Sequence, residues 1–227
     1  MTTAGDRRET IIAKIRMRLG TYDSAGRRAT VARRLAEPAQ PLVPERAKKH
    51  ADERRVQLRT FLEGQSAIFV EVAGAADVPV AIAGFLRSTN LPLRVRVGDD
   101  AYLRSLDWQR EPALERMSGP AQGDDEVGLS HAAAAVAETG TLVMASGPDN
   151  PVTLNFLPAT HIVVVEEKAL VGGYEGAWEK IRARFGRRAM PRTVNFVSGP
   201  SRTADIGGQL VMGAHGPRRL CVILVRD

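Results

Sequence analysis

The 227-residue sequence predicts an α/β protein: three layers, α/β/α, around a largely parallel sheet, preceded by an N-terminal helical arm. Three observations carry this. From Ala67 onward, near-continuous apolar runs recur between helical stretches, the pattern of strands buried on both faces. Before that point the apolar residues repeat at helical spacing and no strand pattern occurs. Prolines at 38, 41 and 44 divide that helical stretch, so residues 1–44 read as an arm with a Pro-rich linker and 45–227 as the main domain.

In the arm, Ile11, Ile12, Ile15 and Leu19 share one helical face with Gly20 as a stop, and a second helix spans Ala25 to Ala36. A third, from about Glu45 to Leu62, carries Ala47, Ala51, Leu58 and Leu62 on one stripe. Ala67–Val72 is a strand, Asp77 caps a helix with Pro79 in its first turn, and Leu93–Val97 completes a βαβ unit. Residues 99–117 show no clear period, although Leu103, Leu106 and Trp108 require burial, and 118–125 read as a loop. A strand at Val127, an alanine-rich helix, and the corner Glu138-Thr-Gly-Thr141 lead into a second apolar strand. Then come the strand His161–Val165, the helix Gly176–Phe185, the strand Thr193–Val197 and the strand Leu220–Val225.

Composition limits the function classes. Hydrophobic residues make up 44% and charged residues 26%, as in ordinary globular proteins, and no apolar run approaches the ~20 residues that span a bilayer. The start of the chain lacks a secretory apolar core, so a bacterial-type cytoplasm is the expected compartment. One cysteine, Cys221, allows neither an intrachain disulfide nor a cysteine-held cluster, and four scattered histidines lack metal-ligand spacing. Residues 1–60 carry 15 Lys and Arg against 7 Asp and Glu, whereas the remainder is slightly acidic. With Tyr22 as the sole aromatic of that segment and no binding motif, solvated helical faces are favoured over a nucleic-acid reader.

The candidate chemistry gathers late in the chain. The strand ending at Val197 runs into Ser198-Gly-Pro and then Ser201, Arg202, Thr203 and Asp205, which reads as a strand-to-helix corner. Backbone N–H groups at a helix start, the permissive Gly199 and the guanidinium fork suit a carboxylate or phosphate; an N-cap with Arg202 paired to Asp205 reads equally well. His215, bounded by Gly213 and Gly216, offers an imidazole as a general base or as a structural loop residue. Glu138 offers a base or nucleophile, or a carboxylate capping its own turn, beside Thr139, Gly140 and Thr141. Ligands of parallel sheets sit at the carboxyl ends of strands, where polar corners occur at Ser130-His131, Ser146-Gly147 and Ser198 to Asp205.

Four strings in order, Ala137-Glu-Thr-Gly-Thr-Leu-Val, Leu157-Pro with His161-Ile-Val-Val-Val, Ser198-Gly-Pro-Ser-Arg-Thr-Ala-Asp-Ile and Gly213-Ala-His-Gly-Pro, resemble the lactate utilization protein C family, whose shared unit is the LUD domain. The resemblance runs from about Glu45 to Val225. It implies a fold similar to the sugar-phosphate isomerase and coenzyme A transferase group and a role in oxidising L-lactate to pyruvate beside two iron–sulfur sister proteins. On that reading this chain is the subunit without clusters, an accessory or binding component with a small anionic ligand, needing neither nucleic acid nor a membrane span. The residues leave open an independent enzyme acting on a small carboxylated or phosphorylated substrate, and leave the oligomeric state open.

Overall fold

The computed structural model describes residues 4–19, 24–37, 42–186, 189–204 and 208–226. They fall into two compact units, Met1–Leu42 and Val43–Asp227. The first holds helices α1 (Ala4–Leu19) and α2 (Ser24–Ala36).

The second unit opens with a short 3-10 turn at Glu45–Ala47 and α3 (Ala51–Gly64). His50 starts α3, its backbone N–H donating to the Glu53 carboxylate at 3.2 Å. There follow β1 (Ile68–Val72), α4 (Val78–Ser88), β2 (Arg94–Val97), α5 (Ala101–Ser105), β3 (Glu115–Ser118), β4 (Val127–His131), β5 (Ala134–Val136) and β6 (Thr141–Ala145). The chain continues through α6 (Thr153–Phe156), β7 (Thr160–Glu166), β8 (Leu170–Val171), α7 (Tyr174–Phe185), β9 (Val194–Val197), β10 (Arg202–Thr203), β11 (Val211–Met212) and β12 (Arg219–Val225).

Six strands form one all-parallel sheet in the order β1-β12-β7-β4-β2-β3, and four form a smaller mixed sheet in the order β8-β5-β6-β9. Alternation along the strands sorts the core. On one face of the parallel sheet, Ile162, Val164, Cys221 and Ile223 pack with Ile82, Phe85 and Leu86 of α4. On the other, Val163, Val165, Val222 and Leu224 meet Leu58 and Leu62 of α3 and Ala135, Leu142 and Met144 of the smaller sheet. The outer face of the smaller sheet, with Val136 and Val143, is covered by Ala177 and Ile181 of α7.

The α/β reading with a large parallel sheet holds, and the helix α4 between two parallel strands is as expected. Three local expectations are corrected. The alanine run is a strand, not a helix: Ala134, Ala135 and Val136 are fully buried and paired with β6, the last two also with β8, where side chains larger than alanine would hold the layers apart. No helix follows Ser198; Arg202 and Thr203 pair with Met212 and Val211 as an antiparallel ribbon. Asp77 sits before α4 without bonding its N–H groups, because its carboxylate accepts from Arg110 at 2.8 Å. Among the described residues no helix is long and apolar enough to cross a membrane.

Candidate functional site

At the carboxyl edge of the parallel sheet polar residues at or just beyond the ends of three strands converge: Asp100 after β2, His131 ending β4 and Glu166 ending β7. Asp100 caps α5, accepting the Leu103 N–H at 2.9 Å through Oδ1. Its carboxylate also accepts from His131 Nδ1, 3.3 Å from Oδ1 and 3.4 Å from Oδ2. Tyr102, on the first turn of α5, stacks on the imidazole with ring centroids 4.5 Å apart. Burial disfavours the Asp100 anion, but hydrogen bonds from His131 and the Leu103 N–H, with the charges of His131 and Arg184, hold its carboxyl below the usual aspartate range.

An ionised carboxylate only accepts, so in neutral His131 the proton lies on Nδ1 and the lone pair on Nε2. That nitrogen is buried without a hydrogen-bond partner; Glu166 Oε2 stands 3.5 Å away, and Glu166 Oε1 pairs with Lys168 Nζ at 2.5 Å. His131 lines a hollow of about 340 Å³ together with Glu166, Lys168, Lys180 and Arg184, floored by alanines. Arg184 is paired with Asp149. Lys180 donates to the Lys168 carbonyl at 2.8 Å and faces no carboxylate within ion-pair distance among the described residues. The hollow thus sets an imidazole held between two carboxylates beside an ammonium with no carboxylate partner, a setting for a small anion that also carries a hydroxyl or carbonyl.

Ser130-His131, one of the polar corners read from the sequence, belongs to this site; the residues to which the sequence gives a binding or catalytic role lie elsewhere, in two groups. Thr139 and Thr141 come together with Ser198, because β6 starts where its antiparallel neighbour β9 ends. Thr141 Oγ1 is 2.7 Å from Ser198 Oγ and 2.8 Å from Thr139 Oγ1, and both threonines lie 3.1 Å from the Tyr174 hydroxyl. Glu138, 5% exposed, receives Arg46 Nε at 3.1 Å. Gly140 takes a left-handed φ of 64°, and a Cβ there would stand 2.5 Å from Phe61 Cβ, so this corner is pressed against the end of α3.

Arg202 is spent on the backbone: it donates to the Gln65 carbonyl and to Ser66 Oγ, tying the ribbon to the exit of α3. Gly199 packs against Gln65, and Thr203 is buried. Ser201 receives the His215 N–H at 3.3 Å and donates its own N–H to the Pro217 carbonyl. His215 lines a second hollow, about 510 Å³, with Phe156, Leu157 and Arg218. This lies by the starts of β7 and β12, the amino edge of the sheet. Asp205 lies outside the described residues. The sequence marks Ser130-His131 as a polar corner at a strand end; what it does not supply is the partners, Asp100 three residues beyond β2 and Glu166 at the end of β7.

A family model described as the LUD domain matches residues 106–225. Lactate utilization protein C of Geobacillus kaustophilus is 32% identical over 178 residues, covering 74% of this chain and 72% of that protein. The proteins of the same name from Shouchella clausii and Bacillus subtilis are 35% and 32% identical over 102 and 122 residues, and the chain spans about half of their length, 44% and 50%. The crystal structure of a DUF162 family protein from Deinococcus radiodurans superposes with a TM-score of 0.57 at 26% identity, covering 78% of this chain and 99% of that one. On these grounds the chain belongs to the lactate utilization protein C family of LUD domain proteins.

Proposed function

We propose that this chain serves lactate utilization as the component without iron–sulfur clusters, binding a small carboxylate in the hollow beside His131 while partner iron–sulfur proteins carry the electrons. The observation that carries the binding role is the pairing of the Asp100-oriented imidazole with the unmatched Lys180 ammonium at the carboxyl edge of the sheet. Family membership supplies the lactate connection. The division of labour rests on the cysteine count: Cys221 is the only one, and burial pushes its thiol up to about 12, away from the thiolate a cluster requires. Such a component works in the cytoplasm with its partners.

The experiment is anaerobic, lactate-dependent dye reduction by the iron–sulfur partners with and without this chain. We expect reduction only when the chain is present, and a large loss with the Lys180→Ala variant. Full activity of the partners alone would refute the role. A second reading, an independent enzyme on a small carboxylated or phosphorylated substrate, is favoured by the same imidazole, whose Nε2 lone pair is that of a general base. It requires turnover by the purified chain alone.

A further inference from the structure

The helices of the arm repeat one surface. Shifted by 20 residues, Arg7-Arg8-Glu-Thr10-Ile11-Ile-Ala-Lys14-Ile15 matches Arg27-Arg28-Ala-Thr30-Val31-Ala-Arg-Arg34-Leu35, an internal repeat that composition alone does not reveal. The local structure repeats with it. Thr10 Oγ1 donates to the Asp6 carbonyl at 2.7 Å, and Thr30 Oγ1 to the Gly26 carbonyl at 2.9 Å, the same bond one helix later.

Each copy places an apolar stripe and an arginine on one face. Ile11, Ile15 and Leu19 recur at intervals of four, as do Val31 and Leu35, and all five are more than half exposed. Arg8 precedes Ile11 by three residues and Ile15 by seven, and Arg28 stands in the same relation to Val31 and Leu35. The charge therefore shares the face of the stripe, at its N-terminal end. No described residue of either helix is buried. Helices of 16 and 13 residues are marginal in water unless an apolar face is covered.

We infer that the arm is a two-site docking element, each helix receiving an acidic amphipathic helix of a partner protein with a carboxylate set among its apolar residues. The chemistry selects this occupant. An arginine on the same face as an apolar stripe, at its N-terminal end, asks for a carboxylate next to an apolar contact, which a partner helix supplies and a hydrocarbon layer does not. The five exposed aliphatic side chains gain nothing from a nucleic-acid backbone. A second copy of the arm is disfavoured by charge, since residues 1–42 hold nine Lys and Arg against four Asp and Glu.

The test uses the full chain and a labelled synthetic peptide, an amphipathic helix with leucines at heptad spacing and a glutamate centred among them. Fluorescence anisotropy should show saturable binding with two peptides per chain, weakened at high salt. Arg8→Glu and Arg28→Glu should each leave one peptide bound, and the double variant none, with an unchanged circular dichroism spectrum and melting temperature. Four results would overturn the inference: no saturable binding, equal binding of a peptide with glutamine in place of the glutamate, stronger binding to anionic phosphatidylglycerol vesicles or duplex DNA than to the peptide, or self-association of the chain through the arm.

Discussion

Asp100 and His131, 31 positions apart in sequence, share a hydrogen bond because β2 and β4 are neighbours in the parallel sheet and both end at the same edge. Since Asp100 also caps α5, one carboxylate fixes a helix start and a ring tautomer. The Asp100→Asn variant keeps an N-cap of similar quality, so stability should change by about 1 kcal/mol or less. The tautomer loses its enforcement. Nitrogen-15 spectra should show His131 protonated on Nδ1 in the parent and mixed tautomers in the variant, with L-lactate affinity reduced about tenfold, the worth of one charge-assisted hydrogen bond.

Arg96 and Asp125 form a buried pair, Nε to Oδ2 at 2.8 Å, and Asp125 also receives the Gln122 N–H at 2.7 Å. Both side chains are less than a tenth exposed, so removing the carboxylate strands a guanidinium in the interior. Asp125→Ala should cost about 3–5 kcal/mol in urea unfolding, and a change below 1 kcal/mol would mean that the pair is solvated.

His161 is fully buried, donating to or accepting from Ser130 Oγ at 2.9 Å, and burial lowers its pKa to about 4. The unfolded chain takes up a proton near the ordinary value of about 6.5, whereas the folded chain resists until about 4. Falling pH therefore favours unfolding across that window, and the stability lost is about 3 kcal/mol when it has been crossed. His161→Gln should remove this slope. Equal slopes for parent and variant would place the titration elsewhere.

A Cβ on Gly172 would lie 1.8 Å from the Ala47 carbonyl oxygen, a backbone atom that cannot step aside alone. Gly172→Ala should thus displace the 45–47 turn, at about 2 kcal/mol or more, and pull Arg46 away from Glu138. Thermal unfolding checks the cost. Arg46→Ala is the comparison, because it removes this pair without moving the turn and leaves the buried Glu138 carboxylate unmatched, at about 1–3 kcal/mol.

The central strands were legible because apolar runs such as 160–166 and 219–225 bury both faces and admit no other period. The alanine run misled because alanine is the best intrinsic helix former, and only the approach of the parallel sheet on one face and of α7 on the other decides for a strand. Ser198–Thr203 misled because hydroxyls and glycine describe a helix start as well as the turn into a ribbon. In the site, Asp100, His131 and Glu166 stood at readable strand ends. Lys180 and Arg184 did not: on α7 alone they look like a solvated face, and only tertiary folding carries them over His131.

The most direct measurement is a titration of L-lactate into the ring-labelled protein, following the four histidine ring signals by NMR, with His131→Asn for assignment. A saturable shift of the His131 resonance alone is expected, absent in Lys180→Ala. A saturable shift confined to His215, or no shift of any histidine at saturating lactate, would contradict it.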